Sequence, residues 1–294
     1  MIQYNALVVN YENSLQLRLY DFPIVSDKSP LKKDSFEVVE NEIDSSISSY
    51  DDKYHFEGHS AYVSLNRSKN NIFYLARSND WTNGYFCTLT IDPKRFDCFD
   101  YKNVSSYIQT FLKRIRNFSN SAYALFVPEK HRSGAFHFHG LISGIDLERY
   151  DIISFSGHYF KDQKIYNFVK WWDFGFSNVT RVQSSLAVEK YVTKYTTKEL
   201  LNDTKYQHRY FTLNLHQADF LRLNFYSNKS VLDDLIQMGY VSFCNTDGLY
   251  NRVTYLELKK DKNILHYLQD CSNLDLSKDL NSPKNSENPY FANN

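Results

Sequence analysis

Residues 129–142 read E-K-H-R-S-G-A-F-H-F-H-G-L-I, and the alternation of phenylalanine with histidine inside this run limits how it can fold. Successive side chains of a strand point to opposite faces, so His137 and His139 project one way and Phe136 and Phe138 the other. The phenylalanines then mark a core, and the two imidazoles stand close enough to share a metal ion. Upstream, residues 122–127 (A-Y-A-L-F-V) form a second strand-like run closed by Pro128. The charged segment between the two runs ends in Ser133-Gly134, a turn signal. A hairpin here folds Glu129 back beside the histidines as a third, carboxylate ligand, with His131 a weaker candidate. Taken alone, the pair admits two readings: an incidental placement on a strand, or a metal site.

A second signal lies some fifty residues on. Residues 184–200 read S-S-L-A-V-E-K-Y-V-T-K-Y-T-T-K-E-L. Ser184 or Ser185 suits an N-cap, and Val188, Tyr191, Val192 and Tyr195 fall at i, i+3, i+4 and i+7 on one helical face. Lys194 and Lys198 repeat at the same spacing. An amphipathic packing helix with its hydroxyls at the edge and a helix presenting reactive tyrosines both fit this pattern.

Together these stretches give E-x-H-x-x-G-x-x-H-U-H (U apolar) followed by Y-x-x-K-Y. Upstream stands Y-F-C-T-L-T at residues 85–90, then Ile91, Asp92 and Pro93. In order and spacing this resembles the HUH endonuclease superfamily, in particular the rolling-circle replication initiators of small single-stranded DNA phages and plasmids. The resemblance covers roughly residues 64–224. It implies an α+β fold with a central antiparallel sheet of about five strands, a palm of the RRM or ferredoxin-like kind. Helices would flank one face, and the tyrosine helix would lie over the other, bringing Tyr191 towards the histidines. It implies one divalent cation, Mg²⁺ or Mn²⁺, on His137, His139 and Glu129, a ligand set of mixed nitrogen and oxygen that suits such ions.

By the same resemblance Tyr191, the first residue of Y-x-x-K, is the nucleophile, and Lys194 positions the phosphate or stabilises the attacking oxygen. Tyr195 is a possible second nucleophile. The product is a 5′-phosphotyrosine link and a free 3′-OH that primes synthesis. The implied partners are single-stranded DNA bearing an origin hairpin, a host helicase and a DNA polymerase. Pro128, immediately before Glu129, departs from the pattern and could bend the strand. A relaxase or transposase of the same superfamily is an alternative, although large relaxases usually place the tyrosine before the histidines. A non-catalytic origin-binding module is another.

The remaining sequence bounds these expectations. The 294 residues carry 24 Tyr and 22 Phe, enough for a sizeable core. Four cysteines without C-x-x-C spacing read as free thiols of a reducing compartment. No apolar stretch is long enough to cross a membrane, and the opening M-I-Q-Y-N-A lacks the basic start of a signal peptide. A cytoplasmic location in a bacterial host cell is expected, with no membrane partner. No G-x-x-x-x-G-K-[ST] occurs, so strand unwinding falls to a separate helicase. The formal net charge is zero, but it is unevenly spread. Residues 21–58 hold ten acids against four lysines, about −6, and residues 101–200 hold fourteen bases against eight acids, about +6. A basic segment of this kind is compatible with DNA phosphates.

In chain order, residues 1–60 read as an N-terminal hairpin and acidic linker, 61–227 as the endonuclease domain, and 228–294 as an extension ending in a disordered tail. Within the middle segment, helices are expected over residues 61–79 and 103–118 and a central strand over 85–91, with Thr88, Thr90 and Phe86 on one face. Residues 144–174 read as a long insertion whose aromatics join the core or stack bases beside Lys161, Lys164 and Lys170. Strands are expected at 179–182, 210–213 and 220–225, and a further hairpin at 239–258.

Overall fold

The computed structural model describes residues 2–26, 56–184, 188, 208–247 and 251–273. The chain opens with β1 (Ile2–Asn10), β2 (Ser14–Ser26), α1 (Phe56–Arg77), β3 (Tyr85–Thr90), α2 (Tyr101–Phe118), β4 (Tyr123–Lys130) and β5 (Phe136–Ser143). Then follow β6 (Ile153–Phe160), β7 (Gln163–Phe168), β8 (Ser177–Arg181), β9 (Phe211–Leu213) and β10 (Asp219–Leu223). The described part closes with α3 (Asn228–Gln237), β11 (Val241–Asp247), β12 (Val253–Lys259) and α4 (Lys262–Asn273). These elements divide into two compact units. One joins the β1–β2 hairpin to the chain from Phe220 onward, and the other runs from α1 to Asp219.

The larger unit is built on a seven-stranded sheet in the order β6-β7-β8-β3-β5-β4-β9, and its strand pairs are antiparallel. Alternation of side chains sorts this sheet into two faces. Tyr85, Cys87 and Leu89 of β3, with Phe136, Phe138 and Ile142 of β5, enter one buried cluster. That cluster is closed by α2, whose Val104, Ile108, Phe111, Leu112 and Ile115 recur at helical spacing and are buried. Asp100 caps the helix by accepting the N–H of Lys102 at 3.2 Å. Phe111 meets Phe126, Phe168 and Trp172 edge-on with centroids 5.2–5.7 Å apart, and burying such a side chain stabilises by about 2–3 kcal/mol.

Two expectations are corrected here. The sheet has seven strands rather than about five, because the 144–174 insertion folds as the β6–β7 hairpin and extends the sheet beyond β8. Its aromatics divide accordingly. Tyr166, Phe168 and Trp172 join the core, whereas Phe155, Tyr159 and Phe160 are exposed. Helices also cover both faces rather than one. Ile72, Leu75 and Ala76 of α1 pack with Leu125, Val127 and Leu141 on the side opposite α2. The expected tyrosine helix, with Tyr191, Lys194 and Tyr195, lies outside the described residues, as do most of the acidic linker and the tail.

A polar knot ties the far end of β3 and β8 together. The Tyr85 hydroxyl donates to Asp146 Oδ1 at 2.8 Å and accepts the N–H of Leu147 at 3.1 Å. Arg181 lies 4.4 Å over the Tyr85 ring and donates to Glu148 at 2.8 Å and to Asp146 at 3.2 Å.

The smaller unit is a five-stranded sheet, β10-β1-β2-β12-β11. Ala6, Val8, Leu15, Leu17, Leu256 and Leu258 face Val231 and Leu235 of α3 and Ile264 and Leu268 of α4. On the other face of β2, Arg18 donates to Gln16 and Gln16 to Glu257, both at 2.9 Å, so these sheet polar groups are hydrogen-bonded.

Two outcomes test this architecture. A Cβ on Gly140 would sit 2.3 Å from Phe126 Cδ1 and 2.5 Å from the Leu125 carbonyl oxygen, so Gly140→Ala should cost about 3 kcal/mol in urea unfolding. All three tryptophans, Trp81, Trp171 and Trp172, belong to this unit, so their fluorescence reports it. Burial works against the Asp146 carboxylate, yet the Tyr85 hydroxyl, backbone amides and Arg181 hold its carboxyl below the ordinary range. A depressed carboxyl stabilises above its unfolded pKa near 3.9 and loses that contribution as the pH falls through the folded value. Asp146→Asn should therefore be less stable than the wild type at pH 7, with the gap narrowing below about pH 4.

Candidate functional site

The register of three strands sets the site. β5 pairs with β3 so that Thr88 stands opposite His139 and Thr90 opposite His137. On its other side β5 pairs with β4, placing Val127 opposite His139 and Glu129 opposite His137. His137 and His139 therefore share a face with Thr88, Thr90, Val127 and Glu129, as the alternation in the sequence predicts. The hairpin closes through His131 N–H to Ala135 O and Gly134 N–H to His131 O, both 2.8 Å. Gly134 adopts φ +89°, a left-handed conformation that favours glycine. Pro128 does not break the strand. β9 pairs with β4 only over Ala124–Phe126, so Pro128 lies where β4 is bonded on one side, and pairing with β5 runs on through Glu129 and Lys130.

Side-chain geometry brings Glu129 and His139 together: Glu129 Oε2 lies 2.7 Å from His139 Nε2. Burial pushes the His139 imidazole down to about 4. The ring is thus neutral near pH 7, and the contact is a hydrogen bond from Nε2–H to the carboxylate. Burial also lowers His137, reinforced by the nearby His131 and His139 and opposed by Glu129. The ring of His131 stands 5.5 Å from that of His137, at the edge of the site. On the other side of each ring stands a hydroxyl. Thr88 Oγ1 lies 3.2 Å from His139 Nδ1, and Thr90 Oγ1 lies 3.0 Å from His137 Nδ1.

Two neutral imidazoles and a carboxylate are a donor set that a borderline or hard divalent cation accepts. With each Nδ1 occupied by a threonine, Nε2 is the nitrogen left for a ligand. Among the described residues no three His, Cys, Asp or Glu side chains are gathered at metal-holding distances, so Glu129 and His139 meet each other directly. The chemistry of the residues fits a divalent ion, and their spacing is that of a closed pair.

Beside this row a groove of about 500 Å³ runs along the same face, lined by Phe86, Thr88, Ile165, Asn178, Thr180 and Val188 among others. Phe86 lies parallel to the His139 ring with centroids 6.4 Å apart, so the groove adjoins the histidines directly. Its lining is largely apolar and neutral polar. Val188 is buried in the cluster that holds Val127 and Leu141, the residues opposite and two places beyond His139. The exposed Phe155 and Phe160 carry Lys164 and Lys161 over their rings at 5.7 and 5.5 Å.

Tyr191, Lys194 and Tyr195 lie outside the described residues, so the structure assembles only the histidine and glutamate part of the expected site. The threonine contacts are an addition. Their signal was present in the sequence as T-L-T matching H-F-H in period, but only strand register shows which hydroxyl meets which ring. Asn178 and Thr180 carried no comparable mark.

Residues 84–200 match a family model of replication-associated proteins, the ORF2 type among them. Compared with the curated proteins and with the solved structures, the chain matches none. The matched segment contains β3, the histidine strand and all three of Tyr191, Lys194 and Tyr195, and it is similar to proteins associated with replication, which supports the role of a replication initiator.

Proposed function

We propose that this chain initiates rolling-circle replication by nicking and rejoining single-stranded DNA through a tyrosine. The observation that carries this reading is the row of Thr88, Thr90, His137, His139 and Glu129 on one sheet face, with Val188 packed at its border. Tyr191 follows Val188 by three residues, and three residues span at most about 11 Å. The tether therefore keeps Tyr191 near the histidine row.

His137, His139 and Glu129 would hold one Mg²⁺ or Mn²⁺. That ion, when bound, polarises the scissile phosphate and offsets charge developing on it. The Tyr191 oxygen attacks phosphorus in line, the bond from phosphorus to the 3′ oxygen breaks, and the tyrosine proton ends on the released 3′-OH. Lys194 stabilises the attacking phenolate, and Tyr195 serves as a second nucleophile that ends a round. The covalent link retains the phosphodiester energy, so rejoining needs no ATP. DNA approaches along the groove, where Phe86 and the exposed Phe155 and Phe160 suit stacking on bases and Lys161 and Lys164 suit phosphates. Unwinding and synthesis fall to a host helicase and polymerase. No helix among the described residues is long and apolar enough to cross a membrane.

A pool of short single-stranded oligonucleotides incubated with Mn²⁺ and resolved on a denaturing gel tests the reading. The wild type should give a protein–DNA adduct, and Tyr191→Phe or the pair His137→Ala/His139→Ala should reduce it to background. Persistence of the adduct in Tyr191→Phe and its loss only with Tyr195→Phe added would assign two interchangeable nucleophiles. DNA binding without any adduct would instead support an origin-binding module.

A further inference from the structure

We propose that Thr88 and Thr90 are positioning residues that hold the imidazoles of His139 and His137 in place in either tautomer, so that each ring can exchange a protein partner for an ion without turning. The inference rests on the assignment of these histidines as metal ligands, and it concerns the hydroxyls that no part of that assignment uses.

The geometry around His139 fixes the starting state. Nε2 faces the Glu129 carboxylate at 2.7 Å, so it carries the ring hydrogen, and Nδ1 is then an acceptor. Thr88 Oγ1, 3.2 Å away, donates its hydrogen to Nδ1 in that state. To offer an Nε2 lone pair, the ring must carry its hydrogen on Nδ1 instead. One proton leaves Nε2 to solvent and one arrives at Nδ1, with no change of charge. The group facing Nδ1 must then switch from donor to acceptor at an unchanged position.

A hydroxyl does this by rotating about its C–O bond, since it has one donor and two acceptor sites. A carbonyl could only accept, and an ammonium could only donate. Thr90 stands in the same relation to His137, at 3.0 Å. Both threonines are fixed by the same ladder that fixes the histidines, so the clamp needs no loop to hold it. Their β-branched side chains also have few χ1 rotamers, which keeps each oxygen aimed at its ring. Glu129, freed when the ring changes tautomer, becomes available as a ligand. The closed pair and the metal-holding arrangement are on this account two states of one site.

The test uses the full chain with ¹⁵N-labelled histidine, its tautomers read by long-range ¹⁵N–¹H correlation, together with Mn²⁺ binding followed by electron paramagnetic resonance. In the wild type without metal, His139 should carry its hydrogen on Nε2, and saturating Mg²⁺ should move it to Nδ1. Thr88→Val and Thr90→Val, which keep the shape and remove the hydroxyl, should each weaken Mn²⁺ binding about 10–100-fold. Thr88→Ser should restore most of that loss, and circular dichroism should show all variants folded. Valine variants that bind Mn²⁺ as the wild type does, or a His139 tautomer that Mg²⁺ leaves unchanged, would overturn the clamp alone. A wild type that binds no Mn²⁺ would remove the metal assignment itself, and the clamp with it.

Discussion

Antiparallel pairing of β5 with β3 on one side and β4 on the other fixes which residues can meet, because side chains alternate with period two. A slip of one residue on β5 would send both histidines into the phenylalanine core and both phenylalanines to the open face. The core resists this slip. Phe136 and Phe138 fill one buried cluster with Tyr85 and Leu89, and Gly140 leaves room only for the Phe126 ring. The apolar face therefore holds the chemistry-bearing face in register, and the polar row takes its geometry from packing it does not share.

On that row, partial burial and hydrogen bonding act together. Burial keeps the imidazoles neutral, a state in which each has one nitrogen able to bind a cation. The threonines then decide how the rings stand, and the glutamate satisfies the nitrogen that would otherwise be left bare. The groove beside them continues the same face over β8 and β7, so a strand of DNA lying there would pass the histidines rather than end at them.

Much of this was legible in the sequence where period and chemistry coincided. F-H-F-H announced its strand and its two faces, the Ser-Gly turn announced the hairpin, and the apolar spacing of residues 104–115 announced α2. What could not be read were pairings between distant segments. Nothing local in Gln163–Phe168 marks it as a partner of β8, so the insertion looked like loop and core instead of two added strands. Nor does residue spacing show that α1 would cover Leu125 and Leu141 on the histidine side. The helices α3 and α4 follow the part of the chain where the motifs stop, and short amphipathic segments without a motif give little to anchor a reading. The tyrosine segment was the opposite case, clear in its period yet outside the described residues.

The pairing of β2 with β12 sets Leu17 opposite Leu256, two residues far apart along the chain. During synthesis the first strands emerge long before their neighbour exists. β2 must wait with an open edge while the whole of the larger unit is made, and such edges invite association with other chains. The larger unit has no such delay, since its strands from β3 to β9 come from one continuous stretch. A ribosome would thus release a finished seven-stranded platform while the smaller sheet still lacks its partner strand, and slow translation past α3 would lengthen the time that edge stays exposed.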